Sequence, residues 1–246
     1  MQPPYRYINK NIPMKKMSSP LHEVFDRIVC ISLLEREDKK IIVEKKLNDH
    51  GITPEFYRPV IFGFNKMIIE DLYRGKNSRF TKEHPNEIGC AISHYTVIKT
   101  AYLEGVERLF IFEDDILFNK DFDVLLSNSL KSLPYDWQMI MLYGYTFNDE
   151  FCKRVNSRWT EAHNLWSAMA YGMNRNAMKT YIEMMDKFFS VADYPTITMQ
   201  DILKVYCSVP TLCIPNTKLG SDIRSDMNYE NYKTKLNYMY GDENYI

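Results

Sequence analysis

Three consecutive carboxylates, Glu113, Asp114 and Asp115, directly follow a short apolar run in this chain. Adjacent negative charges repel one another and resist removal from water, so such a cluster is unusual at the end of a buried strand. A divalent cation would neutralise it, and carboxylate oxygens suit Mg²⁺ or Mn²⁺, which in turn bind diphosphates. The cluster therefore indicates a cation and diphosphate site, with an ordinary acidic turn as the alternative.

The order of the three residues favours the cation. Side chains alternate along an extended segment, so Glu113 and Asp115 share one side and Asp114 points to the other. Ligands of open α/β sheets bind outside the carboxyl ends of strands, and a strand over residues 108–112 puts the cluster there. We expect Glu113 and Asp115 to bind the cation.

Strands and helices must alternate to position this cluster. Apolar runs predict strands at residues 27–34, 56–61, 108–112, 138–143 and 211–214, with a further short apolar segment at 168–173. Helical spacing of apolar residues predicts helices at residues 35–50, 87–103, 122–132, 175–189 and 199–206. This alternation predicts an α/β fold with a mainly parallel central sheet and helices on both faces.

One domain accounts for most of the chain. Residues 1–20, which contain several Pro and Lys, are predicted to form an irregular N-terminal arm, and residues 21–225 a single domain without an internal linker. Residues 226–246 form a polar tail rich in Tyr and Asn. This tail is either a docking arm or disordered.

Composition narrows the class of protein. The chain has 246 residues, 45% of them hydrophobic, and a net charge of −1, so it can bury a core and has no basic stripe for nucleic acid. Five cysteines without a Cys-x-x-Cys pair predict a reducing compartment and no structural zinc. No long apolar run or signal sequence is present, which predicts a soluble cytoplasmic protein. Peripheral contact with a membrane and a homo-oligomer are both compatible with the sequence.

The segment 86–94, Asn-Glu-Ile-Gly-Cys-Ala-Ile-Ser-His, points to a family. It closely resembles the G-E-I-G-C-x-x-S-H signature of glycosyltransferase family 25, the lipooligosaccharide and collagen β-galactosyltransferases, with Asn86 in place of the usual Gly. The segment 110–115 resembles the strand of that family that ends in Glu-Asp-Asp. The segment 29–33 with Arg36 and Asp38 is similar to its V-I-N-L-x-R-x-x-D-R opening, although Ser32 stands for Asn and Lys39 for Arg.

The resemblance covers roughly residues 27–225 and is looser at its ends. The segment 170–177, the pair Gln200-Asp201 and the segment 221–223 are similar to shorter family motifs. The family implies a GT-A-like fold, a UDP-sugar donor carrying galactose or glucose, a divalent cation, and inversion at the anomeric carbon. The acceptor would be a hydroxyl of a glycan, a lipooligosaccharide or a protein.

The resemblance also implies site residues. Asp222 is favoured over His163 as a third metal ligand beside Glu113 and Asp115. The implied donor-binding residues come from the opening motif, the signature helix and the acidic cluster, and they are Ile31, Ser32, Arg36, Glu87, Gly89, His94 and Asp114. Gly89 costs a helix about 1 kcal/mol relative to Ala, which is explained if backbone or ligand approaches closely there.

Inversion by a single displacement requires a carboxylate that takes the proton of the acceptor hydroxyl. Asp201 is the expected base, and Asp222 is the next candidate. Thr198 and Asp201 also fit an N-cap and a first-turn acid of the predicted helix 199–206, so Asp201 could instead have a purely structural role.

Two other functions remain to be distinguished. A sugar-nucleotide pyrophosphorylase would share the sheet architecture, but it should have a Gly-rich phosphate loop after the first strand, and residues 32–37 contain no Gly. A nucleotide-sugar-binding protein without catalytic activity is the second alternative, because Ser32 and Lys39 depart from the family motif.

Overall fold

Strands and helices alternate through the computed structural model of the chain, which describes residues 18–59, 85–145, 153–220, 222 and 244–246. The strands are β1 Arg27–Ile31, β2 Glu55–Tyr57, β3 Arg108–Glu113, β4 Ile116–Phe118, β5 Met139–Met141, β6 Trp159–Glu161, β7 Ala170–Asn174, β8 Val205–Ser208 and β9 Cys213–Pro215. The helices are α1 Leu21–Val24, α2 Glu37–Asp49, α3 Pro85–Leu103, α4 Phe122–Lys131, α5 Arg175–Lys187 and α6 Asp193–Met199.

Seven strands form the central sheet, in the order β2-β1-β3-β7-β5-β8-β6. β1 pairs in parallel with β2 and β3, and β5 pairs in parallel with β8. β7 lies antiparallel between β3 and β5, and β6 is antiparallel to β8. Five strands therefore share one direction, which confirms the mainly parallel α/β sheet.

The sheet separates two apolar cores. Val29 and Ile31 of β1 face one core, whereas Ile28 and Cys30 face the other, as alternation along a strand requires. Side chains of α3, α5 and α6 fill the first core, and those of α1, α2 and α4 fill the second. Burial on both faces explains why the strands appear as nearly continuous apolar runs in the sequence.

The predicted helix at residues 199–206 is wrong. The helix α6 ends at Met199, and Val205–Ser208 form the buried strand β8. The Thr198 hydroxyl donates to the Tyr194 carbonyl inside α6, so Thr198 does not cap a helix. Pro195 lies in the first turn of α6, where its missing N–H breaks no helical hydrogen bond. A short apolar run cannot by its period alone distinguish a strand from a helix.

Several short elements carry no periodic signal and were not predicted. These are α1, β4 and β6, each of three or four residues. The end of the chain lies against β4, since the Phe118 and Ile246 backbones exchange two hydrogen bonds and Tyr245 is buried. Residues 1–17 of the predicted arm and residues 226–243 of the predicted tail lie outside the described residues.

Candidate functional site

Parallel pairing brings two predicted site segments together. In the register of β1 and β3, Ile31 lies opposite Glu113. Ser32 and Asp114 each follow directly, so they leave the carboxyl ends of neighbouring strands side by side. The carboxyl edge of the sheet is therefore the common location of the acidic cluster and of the opening motif, as expected for a ligand site in such a sheet.

Burial and mutual repulsion raise the pKa values of the acidic cluster. The pKa of Glu113 rises to about 7, through burial first and then through Asp114. Burial and Asp115 raise the pKa of Asp114 to about 6. Burial and Glu113 raise the pKa of Asp115 to about 7. Among the described residues, burial and the neighbouring carboxylates therefore outweigh the opposing charge of Lys39, and a divalent cation would relieve this condition.

Two buried polar atoms at the same edge lack a good hydrogen bond. They are Asp114 Oδ2 and Ser32 Oγ, which have no partner of acceptable geometry in the described part of the chain. The Ser32 hydroxyl still lies near enough to Asp114 to lower its pKa slightly against the effect of burial. Buried polar atoms are normally hydrogen-bonded, so this pair is suited to a polar ligand.

A buried hydrogen-bond relay of Tyr171, His94 and Glu113 orients the Glu113 carboxylate. Its Oε1 lies 3.0 Å from His94 Nε2, and His94 Nδ1 lies 2.8 Å from the Tyr171 hydroxyl. Burial lowers the pKa of His94 to about 4, so the imidazole is neutral. The consistent arrangement has Tyr171 donating to Nδ1 and Nε2–H donating to the Glu113 carboxylate. His94 therefore orients Glu113 and has no exposed surface of its own.

Lys39 of α2 supplies positive charge near the acidic cluster. Lys39 is 1% exposed, and its Nζ donates to Asp222 Oδ2 at 2.5 Å and to the Gly220 carbonyl at 3.0 Å. The charge of Lys39 lowers the pKa of all three clustered carboxyl groups. In the sequence, Lys39 stands out only as a departure from the family motif. Its place in the first turn of the helix that follows β1 is the signal that could identify it as a cation beside the acidic cluster.

Asp222 is already neutralised by cations. Arg36 also donates to its carboxylate, and Asn86 Nδ2 donates to its backbone carbonyl at 2.8 Å. Arg36 is further paired with Asp38 at 2.9 Å. The charge of Asp222 also helps to raise the pKa values of Asp114 and Asp115, so its role as a third metal ligand stays a prediction.

Glu87 and Gly89 lie on the first turns of α3, near the acidic edge. Glu87 is half-buried, and its charge helps to raise the pKa of Asp193. A Cβ built on Gly89 meets no described atom within 4 Å. Close approach of another described backbone therefore does not explain this glycine.

The expected base, Asp201, lies apart from these contacts. Its side chain is 66% exposed, and its Oδ1 is 3.8 Å from His163 Nδ1. Asp193, at the start of α6, was missed because α6 itself was not predicted. Burial raises the pKa of Asp193 to about 7, with Glu113 as the next cause. Asp193 in turn acts on His94 and Cys90, so it belongs electrostatically to the acidic edge.

A family model described as glycosyltransferase family 25 (LPS biosynthesis protein) matches residues 25–196, which is more than half of the chain. The chain belongs to glycosyltransferase family 25. The match confirms the family resemblance seen in the signature, and it spans β1, the signature helix α3, the acidic cluster and Asp193.

Curated relatives of this family 25 chain are similar over about half of its length. A putative glycosyltransferase R655 of Acanthamoeba polyphaga mimivirus is 34% identical over 129 residues, which is 50% of this chain and 39% of that protein. The inactive glycosyltransferase 25 family member 3 of Mus musculus is 25% identical over 148 residues, 56% of this chain and 24% of that protein. The chain spans less than half the length of these relatives.

Solved structures show only a distant likeness. A glycosyltransferase involved in glycosylation of the major capsid of PBCV-1 aligns with 8% identity and a TM-score of 0.36, covering 65% of this chain and 66% of that one. An inositol-1-phosphate CTP transferase from T. maritima aligns with 17% identity and a TM-score of 0.36, covering 85% of this chain and 75% of that one. In the described part of the chain, no helix has the length and apolar character needed to cross a membrane.

Proposed function

We propose that this family 25 glycosyltransferase is metal-dependent, transfers galactose or glucose from a UDP-sugar to an acceptor hydroxyl, and inverts the anomeric carbon. The observation that carries the proposal is the cluster of Glu113, Asp114 and Asp115 at the carboxyl edge of the sheet. Its three raised pKa values, which arise first from burial and then from a neighbouring carboxylate, support a site at which a cation adds positive charge.

Glu113 and Asp115 would hold Mn²⁺ or Mg²⁺. Their oxygens are the hard ligands that these ions prefer, and the buried unpaired Asp114 Oδ2 fits a site built for a further polar group. A cation bound there would supply positive charge that stabilises the diphosphate of UDP as its bond to the sugar breaks. His94 holds the Glu113 carboxylate in place through its 3.0 Å hydrogen bond.

The donor would lie along the carboxyl ends of β1 and β3. Ile31, Ser32 and Asp114 would contact the nucleoside, because Ser32 Oγ and Asp114 Oδ2 are two buried polar atoms at this edge that lack a good partner among the described residues. Arg36 and Lys39 would face the diphosphate, since each is a cation beside the acidic edge. Glu87 and Gly89 would border the same pocket from α3.

The acceptor proton needs a base, and Asp193 is a stronger candidate than Asp201. A base is most effective when its pKa lies near the working pH, and the pKa of Asp193 is about 7. Asp193 also interacts electrostatically with Glu113 and His94, whereas Asp201 is exposed beside His163. In this scheme Asp193 takes the hydroxyl proton as the acceptor oxygen bonds to the anomeric carbon and the UDP oxygen leaves.

The test is a screen for UDP release. The protein would be incubated with UDP-galactose and UDP-glucose, with and without Mn²⁺, together with glycan, lipooligosaccharide and hydroxylysine acceptors. Release that needs both the cation and an acceptor supports the proposal. Cation-independent release of the same size contradicts it.

A binding protein without activity is the second candidate. Several similar relatives carry the words inactive glycosyltransferase in their names, and Ser32 and Lys39 depart from the family opening. Tight UDP binding with no UDP release in the presence of any acceptor would favour this candidate.

A further inference from the structure

Three potential metal ligands of mixed chemistry meet between α3 and the end of β3. Cys90 Sγ, His94 Nε2 and one carboxylate oxygen of Glu113 all lie within 4.8 Å of one another. Cys90 and His94 are four residues apart on α3, so they share one face of the helix. The Cys90 thiol donates to Glu113 Oε1 at 3.8 Å, and His94 Nε2 lies 3.0 Å from the same oxygen.

We propose that Cys90, His94 and Glu113 form a binding site for Zn²⁺, distinct in ligand chemistry from the Mn²⁺ or Mg²⁺ site. Zn²⁺ binds thiolate and imidazole well, whereas Mg²⁺ and Mn²⁺ bind these ligands poorly. The site contains no Cys-x-x-Cys pair, so the spacing of the cysteines does not reveal it in the sequence. We therefore replace the sequence prediction of no structural zinc with this proposal.

The distances allow a tetrahedral ion after a small closure of the ligands. Zinc bond lengths of about 2.0 to 2.3 Å place ligand atoms of a tetrahedron about 3.3 to 3.8 Å apart. The sulfur-to-oxygen distance of 3.8 Å and the nitrogen-to-oxygen distance of 3.0 Å lie near the two ends of this range, and all three ligand atoms lie within 4.8 Å of one another. Side-chain movements of up to about 1 Å would complete three corners of the tetrahedron, which leaves the fourth corner for water.

The partners of the ligands also suit zinc. Ligating histidines commonly use the second ring nitrogen to hold a hydrogen-bond partner, and His94 Nδ1 already meets the Tyr171 hydroxyl at 2.8 Å. On binding, the Cys90 thiol loses its proton to solvent, and the Nε2 proton of His94 moves to Nδ1. The Tyr171 hydroxyl then turns so that its oxygen accepts from Nδ1–H. The thiolate and the carboxylate then balance the charge of the ion. Cys90 and Glu113 are half-buried, so an ion can enter from their side.

Glu113 is common to both metal sites, and this has a consequence that rests on the proposed function. Zn²⁺ that draws Glu113 toward Cys90 and His94 removes it from the Mn²⁺ or Mg²⁺ site. Micromolar Zn²⁺ should then inhibit Mn²⁺-supported UDP release, and Cys90→Ser should relieve the inhibition.

The direct test is metal binding to the whole protein and does not need activity. Co²⁺, which replaces Zn²⁺ at such sites, should give a near-ultraviolet thiolate-to-metal charge-transfer band that excess Zn²⁺ removes. Cys90→Ser should abolish the band, and Cys30→Ser should leave it unchanged. Cys30 is the matched control because it is a buried thiol whose pKa responds to the same three acidic residues. Asp115→Asn should also retain the band.

A second measurement on the unaltered chain covers the case in which Cys90→Ser does not fold. Zn²⁺ should slow alkylation of Cys90 at least 10-fold, as read by mass spectrometry of the peptide. No band with Co²⁺, a band that persists in Cys90→Ser, or unchanged alkylation overturns the zinc site. Failure of cation-dependent UDP binding with an intact band would instead contradict the proposed function and leave the zinc site standing.

Discussion

At the scale of single residues, the buried relay explains how an acidic side chain can be oriented at the edge of a sheet. Tyr171 and His94 are both buried, and each uses its polar atoms within the relay. Glu113 is the only member that is half-buried and can reach a ligand. A polar network of this kind holds its last member firmly only while every link is satisfied.

Removing the hydroxyl of Tyr171 should weaken cation binding without removing a ligand. Tyr171→Phe leaves His94 Nδ1 buried without its partner, which costs about 1 to 3 kcal/mol and loosens Glu113. We expect Mn²⁺ affinity, measured by calorimetry, to fall about 10-fold or more, as it does when other residues that hydrogen-bond to metal ligands are substituted. Tyr206→Phe is the control, because Tyr206 donates to Asp136 at 2.9 Å outside the acidic cluster. Equal losses in both variants would contradict a specific role for the relay.

The assignment of the base separates two aspartates. Asp193→Asn should slow UDP release by about 10² to 10⁴ while UDP binding stays within a few-fold, because a lost general base affects the chemical step. Asp201→Asn should change the rate less than 3-fold, since its exposed carboxylate pairs only loosely with His163. The reverse ranking of the two variants would restore Asp201 as the base.

At the scale of elements, the N-terminal half of α3 contains the family signature and lies beside the candidate site. It brings Cys90 and His94 close to Glu113, and a Cβ at Gly89 would meet no described atom within 4 Å. Ser93 donates to the Gly89 carbonyl at 2.8 Å, so this turn is satisfied without any side chain at Gly89. Since no described contact requires a glycine here, a role of Gly89 in ligand binding stays a prediction.

Gly89→Ala tests that prediction by separating stability from binding. The added methyl has open space, so the free energy of unfolding should rise by about 0.5 to 1 kcal/mol, measured by urea denaturation. UDP-sugar affinity should fall at the same time. Gly172→Ala is the contrasting variant, because its Cβ would clash with the Phe25 ring and should destabilise the fold. Unchanged UDP-sugar affinity in Gly89→Ala would remove α3 from the donor pocket.

Sequence patterns predicted the long elements better than the short ones. The period of α3 and the apolar run of β3 were clear because each extends over several turns or residue pairs. The helix α6 has seven residues and begins at Asp193 with a proline in its first turn, so its pattern is too short to recognise. Asp193 therefore did not appear among the candidate bases in the sequence, and the choice between Asp193 and Asp201 stays a prediction.

Contacts between distant segments were also beyond the sequence. The acidic motif predicts a cation site, but nothing in its spacing indicates that Tyr171 contacts His94, 77 positions away. The pairing of Asp222 with Lys39 spans 183 positions and depends on how the end of the domain returns to α2. Such contacts follow from the topology of the sheet, which local periodicity does not encode.

At the scale of the whole molecule, the net charge of −1 hides a local excess of negative charge. Glu113, Asp115 and Asp193 have pKa values of about 7, and Asp114 one of about 6, all above their ordinary values. Carboxyl groups whose folded pKa is raised favour the folded state while they are protonated. This contribution is complete below about pH 4 and is lost as the pH rises through 6 to 7.

Stability should therefore depend on pH and cation together. Without added metal, the acidic cluster should make the protein less stable at pH 8 than at pH 5, by on the order of a few kcal/mol. Mn²⁺ should raise the melting temperature strongly at pH 8 and little at pH 5, where protons occupy the carboxylates. Thermal melting in metal-free buffer with and without Mn²⁺ measures this. An equal Mn²⁺ effect at both pH values would contradict binding by these residues.

Calorimetry of UDP binding tests the central claim most directly. The account predicts that Mn²⁺ strengthens UDP binding at least 10-fold, that EDTA abolishes this gain, and that Asp115→Asn abolishes it too. Asp121→Asn, an exposed aspartate just beyond the cluster, should retain the gain. UDP affinity that is the same with Mn²⁺ and with EDTA, or an undiminished gain in Asp115→Asn, would contradict the account.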